Sequence, residues 1–254
     1  MEITDLALVL LRWLHIASGL LFVGLLWWFN FVFTPFNLVM DPETRKKVML
    51  ELLPRALYWF RWSAFYTAVL GVTLLFVVFY EGGLTIEGQQ PWSVGSYVML
   101  AVVMLTYRVY VLLTKTSIGK NLLAMGGIGI VVVGALIYGM IEYGHFSYRA
   151  YVIHIGFFFG IIMVGNVWEI IWPAQKKILD AMKSGSAPDP LLMGRTMLHS
   201  RHNTYLSVPL LWCMIEAHTA VPAANDWLYL IVIILVGWAL VSLVYKKAGK
   251  VQGW

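Results

Sequence analysis

The chain has 254 residues, of which 60% are hydrophobic and 12% are charged, and its formal net charge is +5. Average proteins carry about 25% charged residues, so this composition excludes an ordinary soluble domain and indicates an integral membrane protein. The basic residues lie mostly in the loops between apolar runs, so the positive charge reports membrane topology and not nucleic-acid binding.

Seven apolar segments are long enough to cross a bilayer, since about 20 residues of helix span the hydrocarbon layer. They cover about 6–33, 60–80, 95–114, 122–142, 149–172, 203–219 and 227–245. All seven must be helical, because backbone polar groups in lipid need partners within their own segment. The sequence predicts an all-α bundle of about seven transmembrane helices in a single membrane domain, residues 1–254.

Three features lie before and between these spans. The N-terminus is acidic and lacks a cleavage site, so the first span is expected to remain as an anchor. Asp41-Pro42-Glu43 predicts the cap and first-turn proline of a short amphipathic helix that ends near Leu53. Residues 184–190 predict a flexible turn.

Lysine and arginine are distributed unevenly over the loops. They follow the first, third and fifth spans and end the chain: Arg45, Lys46, Lys47, Arg55, Lys115, Lys120, Lys176, Lys177, Lys183, Arg195, Lys246, Lys247 and Lys250. The opposite loops, around 81–90 and 220–226, contain none. The positive-inside rule then predicts an outside N-terminus and a cytoplasmic C-terminus in a bacterial-type inner membrane.

Two histidines begin similar stretches of the chain. His15 and His154 lie 139 residues apart, and each opens an apolar, glycine-bearing stretch that reaches Pro35 or Pro173. Such an echo indicates an internal duplication.

A second pair of motifs has nearly the same spacing. The segments 60–66 and 200–205 match at an offset of 140 residues. We therefore expect two parallel repeats, of four spans over about 1–143 and of three over about 144–254, related by an axis along the membrane normal.

The repeated histidines are the leading site candidates, because ionisable residues are costly inside a bilayer and often mark function. Neutral imidazole is a usual axial ligand of haem, so His15 and His154 predict a haem b iron site in the outer half of the membrane. His218 is a further ligand candidate, and Arg12 and Arg149 are placed to pair with the propionates. The alternative is that these histidines only bind neighbouring helices through hydrogen bonds.

A second cluster lies toward the cytoplasmic side. Arg61, Arg201 and His202 predict a cationic site for a quinone or an anionic substrate, although both arginines can also extend to the headgroups. Asn166 and Glu169 are three residues apart and share a face of a regular α-helix. Glu169 is a candidate proton carrier, with an interhelical hydrogen bond as the alternative.

Tryptophan, tyrosine and phenylalanine concentrate at the predicted membrane interfaces, for example at Trp27, Trp28, Trp59, Trp62 and Trp172. This distribution is typical of an interfacial aromatic belt, and we expect these rings to serve in anchoring and packing.

Several short motifs occur in order along the chain. They are Leu11-Arg12-Trp13-Leu14-His15-Ile16 with Gly24, Trp59-Phe60-Arg61-Trp62, His154-Ile155-Gly156 through Met163, Asn166-Val167 and Pro173, and Arg201 through Pro209 with Met214 and His218. This set resembles the N-terminal domain of the membrane-bound urate oxidase (urate hydroxylase) family. The resemblance covers about Leu11 to His218, and its most specific part runs from His202 to His218.

The resemblance implies a redox function. Urate-oxidising members of that family carry a C-terminal cytochrome c domain, whereas this sequence stops at Trp254 without one. We therefore expect a haem-b-type electron-transfer subunit that passes electrons between a membrane or substrate donor and a separate outer-face cytochrome c or dehydrogenase. A larger membrane complex or a homo-oligomer is the expected setting.

Two other functions remain open. In the first, urate is hydroxylated within this chain, in a pocket formed by His202, Asn203 and Tyr205. In the second, the chain is a non-catalytic scaffold or transporter subunit, to which parallel repeats and polar groups near the midplane are equally suited.

Overall fold

A computed structural model describes residues 3–85, 93–216 and 226–251 of the chain. This described part is all-α. Its α-helices are α1 (Ile3–Trp27), α2 (Thr34–Val39), α3 (Pro42–Leu74), α4 (Val94–Thr114), α5 (Leu122–Glu142), α6 (Tyr148–Gly165), α7 (Trp172–Lys183), α8 (Pro190–Glu216) and α9 (Asp226–Ala248).

Six continuous helical segments of the described chain are long and apolar enough to cross a membrane. They are Asp5–Val39, Pro42–Tyr80, Val94–Thr114, Leu122–Glu142, Tyr148–Lys183 and Trp227–Ala248. Six of the seven predicted spans lie within these segments, which supports the assignment as a multi-pass membrane protein.

The remaining predicted span, 203–219, belongs to α8. This helix is continuous to Glu216, and the end of the predicted span lies outside the described residues. Charged and polar side chains, among them Arg195, Arg201 and Asn203, lower its hydropathy, and α8 is not among the six apolar segments.

The connection after the first span is correctly predicted at its start but not in its length. Asp41 caps α3, because its Oδ1 accepts hydrogen bonds from the backbone N–H groups of Glu43 and Thr44. The expected end near Leu53 is wrong, since α3 continues through Pro54 to Leu74. A proline removes one helical hydrogen bond, and the buried Leu53 beside it keeps the helix packed.

The predicted turn before α8 is present. The chain leaves helical geometry after Lys183, and Gly185 adopts a φ of 75°, in the left-handed region that glycine enters without strain. The turn ends at Pro190, the first residue of α8.

Three α-helices pass into wider π-helical turns. The first π turn is Trp28–Phe33, the second is Leu75–Tyr80 and the third is Asn166–Ile171. Pro35 and Pro173 follow the first and third at the same position, the second residue of the next α-helix. A proline ring clashes with the carbonyl four residues earlier, so a widened turn at this place has a physical cause.

The described chain divides into two compact units. The first consists of Met1–Leu70, Met163–Tyr205 and Ala239–Trp254, and the second of Gly71–Ile162 and Leu206–Trp238. Each unit contains segments from both halves of the sequence, so neither unit corresponds to one predicted repeat.

Aromatic and aliphatic side chains fill the interior of each unit. In the first unit, the ring of Phe60 on α3 lies 5.3 Å from the rings of Phe22 and Phe29. In the second unit, Gly156 on α6 lets α8 approach closely, because an added Cβ would lie 3.0 Å from the Cβ of Cys213. Small residues at such crossings are typical of helix packing in membranes.

Candidate functional site

His154 is completely buried in the second unit, and both nitrogens of its ring have partners. Nδ1 lies 2.7 Å from the carbonyl oxygen of Ala150, and Nε2 lies 3.0 Å from the hydroxyl of Tyr80. A carbonyl oxygen only accepts, so Nδ1 carries the proton and Nε2 accepts from the tyrosine. The ring of Phe146 closes the environment at 4.7 Å.

Tyr80 is the last residue of the second π turn and is also buried. Its hydroxyl lies 3.3 Å from the carbonyl oxygen of Ser96, in addition to its contact with His154. A phenol has a single hydrogen to donate, so these two acceptors compete for it, and the shorter contact to His154 is favoured.

His15 lies in the first unit and is half-buried on α1. Its Nδ1 lies 3.0 Å from the carbonyl oxygen of Thr67 on α3, so Nδ1 again donates and the lone pair is on Nε2. The ring has no other hydrogen bond within the described ranges. His15 therefore has the same tautomer as His154, although the two belong to different units and their pairing stays a prediction.

The other residues expected around the haem are Arg12, Arg149 and His218. Arg12 is exposed on α1, and Arg149 is half-buried next to Ala150 on α6. His218 lies outside the described residues. No group of three or more histidine, cysteine, aspartate or glutamate side chains that would bind a metal ion occurs in the described part of the chain.

A buried hydrogen-bond chain connects the third π turn to α8 in the first unit. His199 Nδ1 lies 2.9 Å from Asn166 Oδ1, Asn166 Nδ2 lies 2.7 Å from Asn203 Oδ1, and Asn203 Nδ2 lies 2.9 Å from the carbonyl oxygen of Met163. The Met163 carbonyl only accepts, so donation runs from His199 through both amides to Met163. We call these residues the Asn166 chain.

The Asn166 chain changes two expectations. His199, not His202, is the histidine that α8 contributes to it, and Asn203, which the sequence placed in a substrate pocket, is bonded to Asn166. Glu169 does not share the face of Asn166, because Asn166 is buried and Glu169 is exposed. The three-residue spacing applies to a regular α-helix, whereas both residues lie in a π turn.

The three residues expected to form a substrate pocket, His202, Asn203 and Tyr205, have the following contacts in the structure, and the pocket itself stays a prediction. Asn203 uses both ends of its amide in the Asn166 chain. The hydroxyl of Tyr205 lies 3.1 Å from Ser242 Oγ, and the His202 ring faces His199 at 6.0 Å. Tyr205 thus has a different hydrogen-bond partner from Asn203, whereas His202 lies beside His199, a member of the Asn166 chain.

Arg61 lies among three indole rings of the first unit. Its guanidinium carbon is 4.0 Å from the ring centroid of Trp172, 5.2 Å from that of Trp168 and 5.4 Å from that of Trp62. The rings of Trp62 and Trp168 also meet edge to face at 5.7 Å. We call these four residues the Arg61 cage.

Arg201, which was expected beside Arg61, is exposed and lies 5.2 Å from the ring of Tyr245. Trp62 and Trp172 were expected in an interfacial belt, and the structure gives both a specific contact with a cation. A belt and a cage have the same composition, so the sequence alone did not distinguish them.

A second asparagine, Asn30 in the first π turn, binds both α8 and α9. Its Nδ2 donates to Ser200 Oγ at 2.9 Å, and its Oδ1 accepts from the hydroxyl of Tyr245 at 2.8 Å. Two π turns of the first unit thus use an asparagine side chain to bind α8.

Comparison with known proteins identifies the family. The model of the urate oxidase N-terminal family matches residues 42–252. The chain belongs to this family. The match includes His154, the Asn166 chain and the Arg61 cage, and it begins after His15. No curated protein and no solved structure matches the chain.

Proposed function

We propose that this chain is a membrane-embedded haem-b-type electron-transfer subunit, which passes electrons between a membrane or substrate donor and a separate outer-face cytochrome c or dehydrogenase. Family membership supports a redox function, and six apolar helical segments support a location in a membrane, for which we propose the bacterial-type cytoplasmic membrane. The observation that carries the proposal is the shared tautomer of His15 and His154. In each, Nδ1 is bound to a backbone carbonyl oxygen.

This arrangement fits axial ligation. A histidine that binds iron through Nε2 usually donates its other N–H to a carbonyl or carboxylate, which fixes the ring and increases its basicity. The Thr67 and Ala150 carbonyls supply these acceptors. Nε2 of His15 has no hydrogen-bond partner in the described part of the chain, so His15 fits without rearrangement. At His154, the hydroxyl of Tyr80 must first leave Nε2.

Haem, when bound, supplies one-electron transfer, and the protein controls ligation and solvent. Here the carbonyl groups of Thr67 and Ala150 hold the two rings in the tautomer that would present Nε2 to iron, and the burial of His154 would keep water away from its ring. Arg12 and Arg149 are the candidates for pairing with propionates. We propose that a separate cytochrome c or redox subunit accepts the electrons, within a membrane complex or homo-oligomer.

A reduced-minus-oxidised visible spectrum of the detergent-purified chain tests the proposal. We expect a haem b band that is lost in His15→Ala and reduced in His154→Ala, and retained in His145→Asn, a control at an exposed loop histidine. Asparagine suits the control because His145 has a positive φ of 54°. A purified chain without any haem band would refute the proposal, and bands that persist in both variants would refute the ligand assignment.

Urate oxidation within this chain is a second candidate function, which the family description supports. The separate partners of Asn203 and Tyr205 do not favour the pocket first expected for it. Addition of urate and ferricyanide to the purified chain tests this function through the ultraviolet absorbance of urate. Loss of absorbance faster than in a buffer control would establish it. A chain with neither haem nor urate turnover would favour the scaffold or transporter alternative.

A further inference from the structure

The Arg61 cage contains a positive charge within two apolar segments. Arg61 and Trp62 belong to the segment Pro42–Tyr80, and Trp168 and Trp172 to the segment Tyr148–Lys183. Within the described residues no carboxylate forms a salt bridge with Arg61. The three indole faces offset part of its desolvation, but they supply no hydrogen-bond acceptor in the plane of the guanidinium.

The cage also contains unused hydrogen-bond donors. Nε of Arg61, Nε1 of Trp62 and Nε1 of Trp168 are buried, and none has an acceptor in the described part of the chain. Buried donors without partners are costly and rare in folded proteins, so three in one cluster indicate a missing acceptor. A ligand that suits these three N–H donors has oxygen atoms that accept hydrogen bonds. It has no N–H or O–H donors of its own, which would require acceptors from the protein.

The surroundings restrict the ligand further. Aromatic side chains favour a planar ring, which can pack against an indole at centroid distances of about 4.5–7 Å. A site within two apolar segments also favours a ligand that dissolves in the hydrocarbon layer. A quinone has a planar ring, two carbonyl oxygens that only accept hydrogen bonds, and solubility in the bilayer. Urate shares the ring and the oxygens, but it carries N–H donors of its own and dissolves in water.

We propose that the Arg61 cage binds the headgroup of a membrane quinone, with a carbonyl oxygen of the quinone accepting from the N–H groups of the cage. This inference rests on the proposed function in one respect, because a bound quinone is the membrane-side redox partner of an electron-transfer subunit. Binding itself requires neither haem nor electron transfer, so it is measured independently.

Equilibrium dialysis of the detergent-purified full chain against a short-chain ubiquinone tests the proposal, and a menaquinone analogue provides a second probe. We expect Arg61→Met to weaken binding by about tenfold or more, since loss of one charge-assisted hydrogen bond changes affinity by this order. The matched control is Arg55→Met, an exposed arginine earlier on α3, which should bind as the unsubstituted chain does. Size-exclusion chromatography and thermal denaturation report whether each variant is folded.

Trp168→Phe is the second variant, because it keeps an aromatic ring and removes one N–H donor. We expect it to weaken quinone binding by about three- to tenfold, which keeps the proposal testable if Arg61→Met does not fold. Absence of quinone binding by the unsubstituted chain, or equal binding by all variants, would overturn the proposal.

Two competition arms identify the ligand. In these arms, urate or inorganic phosphate is added to the chain with bound quinone. If either anion displaces the quinone at a concentration below that at which the quinone binds, the cage is an anion site and the quinone assignment is wrong. The haem spectrum separates this result from the proposed function. Haem without quinone binding refutes only the cage ligand, and quinone binding without haem refutes only the haem assignment.

Discussion

Asn166 is the residue through which the third π turn is bonded to α8. Its amide accepts from His199 and donates to Asn203, so Asn166→Ala removes two buried hydrogen bonds. Loss of one buried hydrogen-bond partner costs about 1–3 kcal/mol, and we expect the free energy of unfolding to fall by roughly 2–6 kcal/mol. Thermal denaturation of the purified chain in detergent measures the loss.

Lys176→Ala, at an exposed position on α7, is the control and should change the stability by less than about 0.5 kcal/mol. Equal midpoints for the two variants would contradict the role of Asn166.

Asp41 should make the stability of the chain depend on acid pH. Hydrogen bonds from Thr44, of which the backbone N–H is the largest cause, and from Glu43 hold the pKa of its carboxyl below the ordinary value of 3.8. A pKa that is lower in the folded state contributes stability above the unfolded value, and this contribution is lost as pH falls through the folded value.

Asp41→Asn is the variant that isolates this dependence, because asparagine also caps a helix but does not titrate. We expect its thermal midpoint to fall less on acidification below 3.8 than that of the unsubstituted chain. Identical pH profiles for the two proteins would remove Asp41 from the explanation.

At the scale of single residues, the sequence identifies the candidates but not their partners. His15 and His154 are conspicuous because an ionisable side chain inside an apolar span is costly. Their bonds to Thr67 and Tyr80 depend on packing between helices distant in sequence. Arg61 was also recognised, but the choice between headgroup and cage depends on where Trp168 and Trp172 lie.

At the scale of elements, apolar length predicts where helices lie, and it does not detect one extra residue in a turn. The third π turn illustrates this limit, because a regular α-helix would bring Asn166 and Glu169 to one face. Pro35 and Pro173 were the available signal, since each follows a π turn at the same position. The common placement of proline and π turn also supports the proposed internal duplication.

The crossing of α6 and α8 provides a prediction at this scale. A Cβ at Gly156 would lie 2.6 Å from Met214 Cε and 3.0 Å from Cys213 Cβ, whereas a Cβ at Gly160 would meet nothing within 4 Å. Both substitutions to alanine gain about the same helix propensity, roughly 1 kcal/mol. We therefore expect Gly156→Ala to be less stable than Gly160→Ala by about 1–3 kcal/mol, the usual cost of overpacking.

Thermal denaturation of the two glycine variants side by side measures this difference, because the common propensity term cancels. Met214→Ala combined with Gly156→Ala should recover part of the loss, since it removes the nearer contact. Equal stability of the two single variants would mean that α6 and α8 are not in close contact at Gly156.

At the scale of the whole molecule, six spans were predictable because hydrophobic length is a local property of the sequence. The remaining predicted span, in α8, is not among the six apolar segments, and the reason is physical. The helix that contains it, α8, carries His199 and Asn203, whose side chains form hydrogen bonds within the first unit and lower the apolar content of the helix. Hydropathy measures composition and takes no account of such internal partners.

Whether α8 crosses the membrane decides the side on which the chain ends. If α8 and α9 both cross, the loop after α7 and the end of α9 lie on the same, cytoplasmic side, as the basic residues predict. If α8 does not cross, these two positions lie on opposite sides. Lys183 and Lys247 are exposed at the two positions, and Glu81 is exposed in the loop predicted to lie outside.

Single cysteines at these three positions, in a Cys213→Ala background, report the sides directly. We expect a membrane-impermeant maleimide to label Glu81→Cys in intact spheroplasts, and to label Lys183→Cys and Lys247→Cys only after permeabilisation. Cys213 is buried, so its replacement by alanine removes the native thiol without exposing a new one. Labelling of Lys247→Cys but not Lys183→Cys in intact spheroplasts would show that α8 stays on the cytoplasmic side.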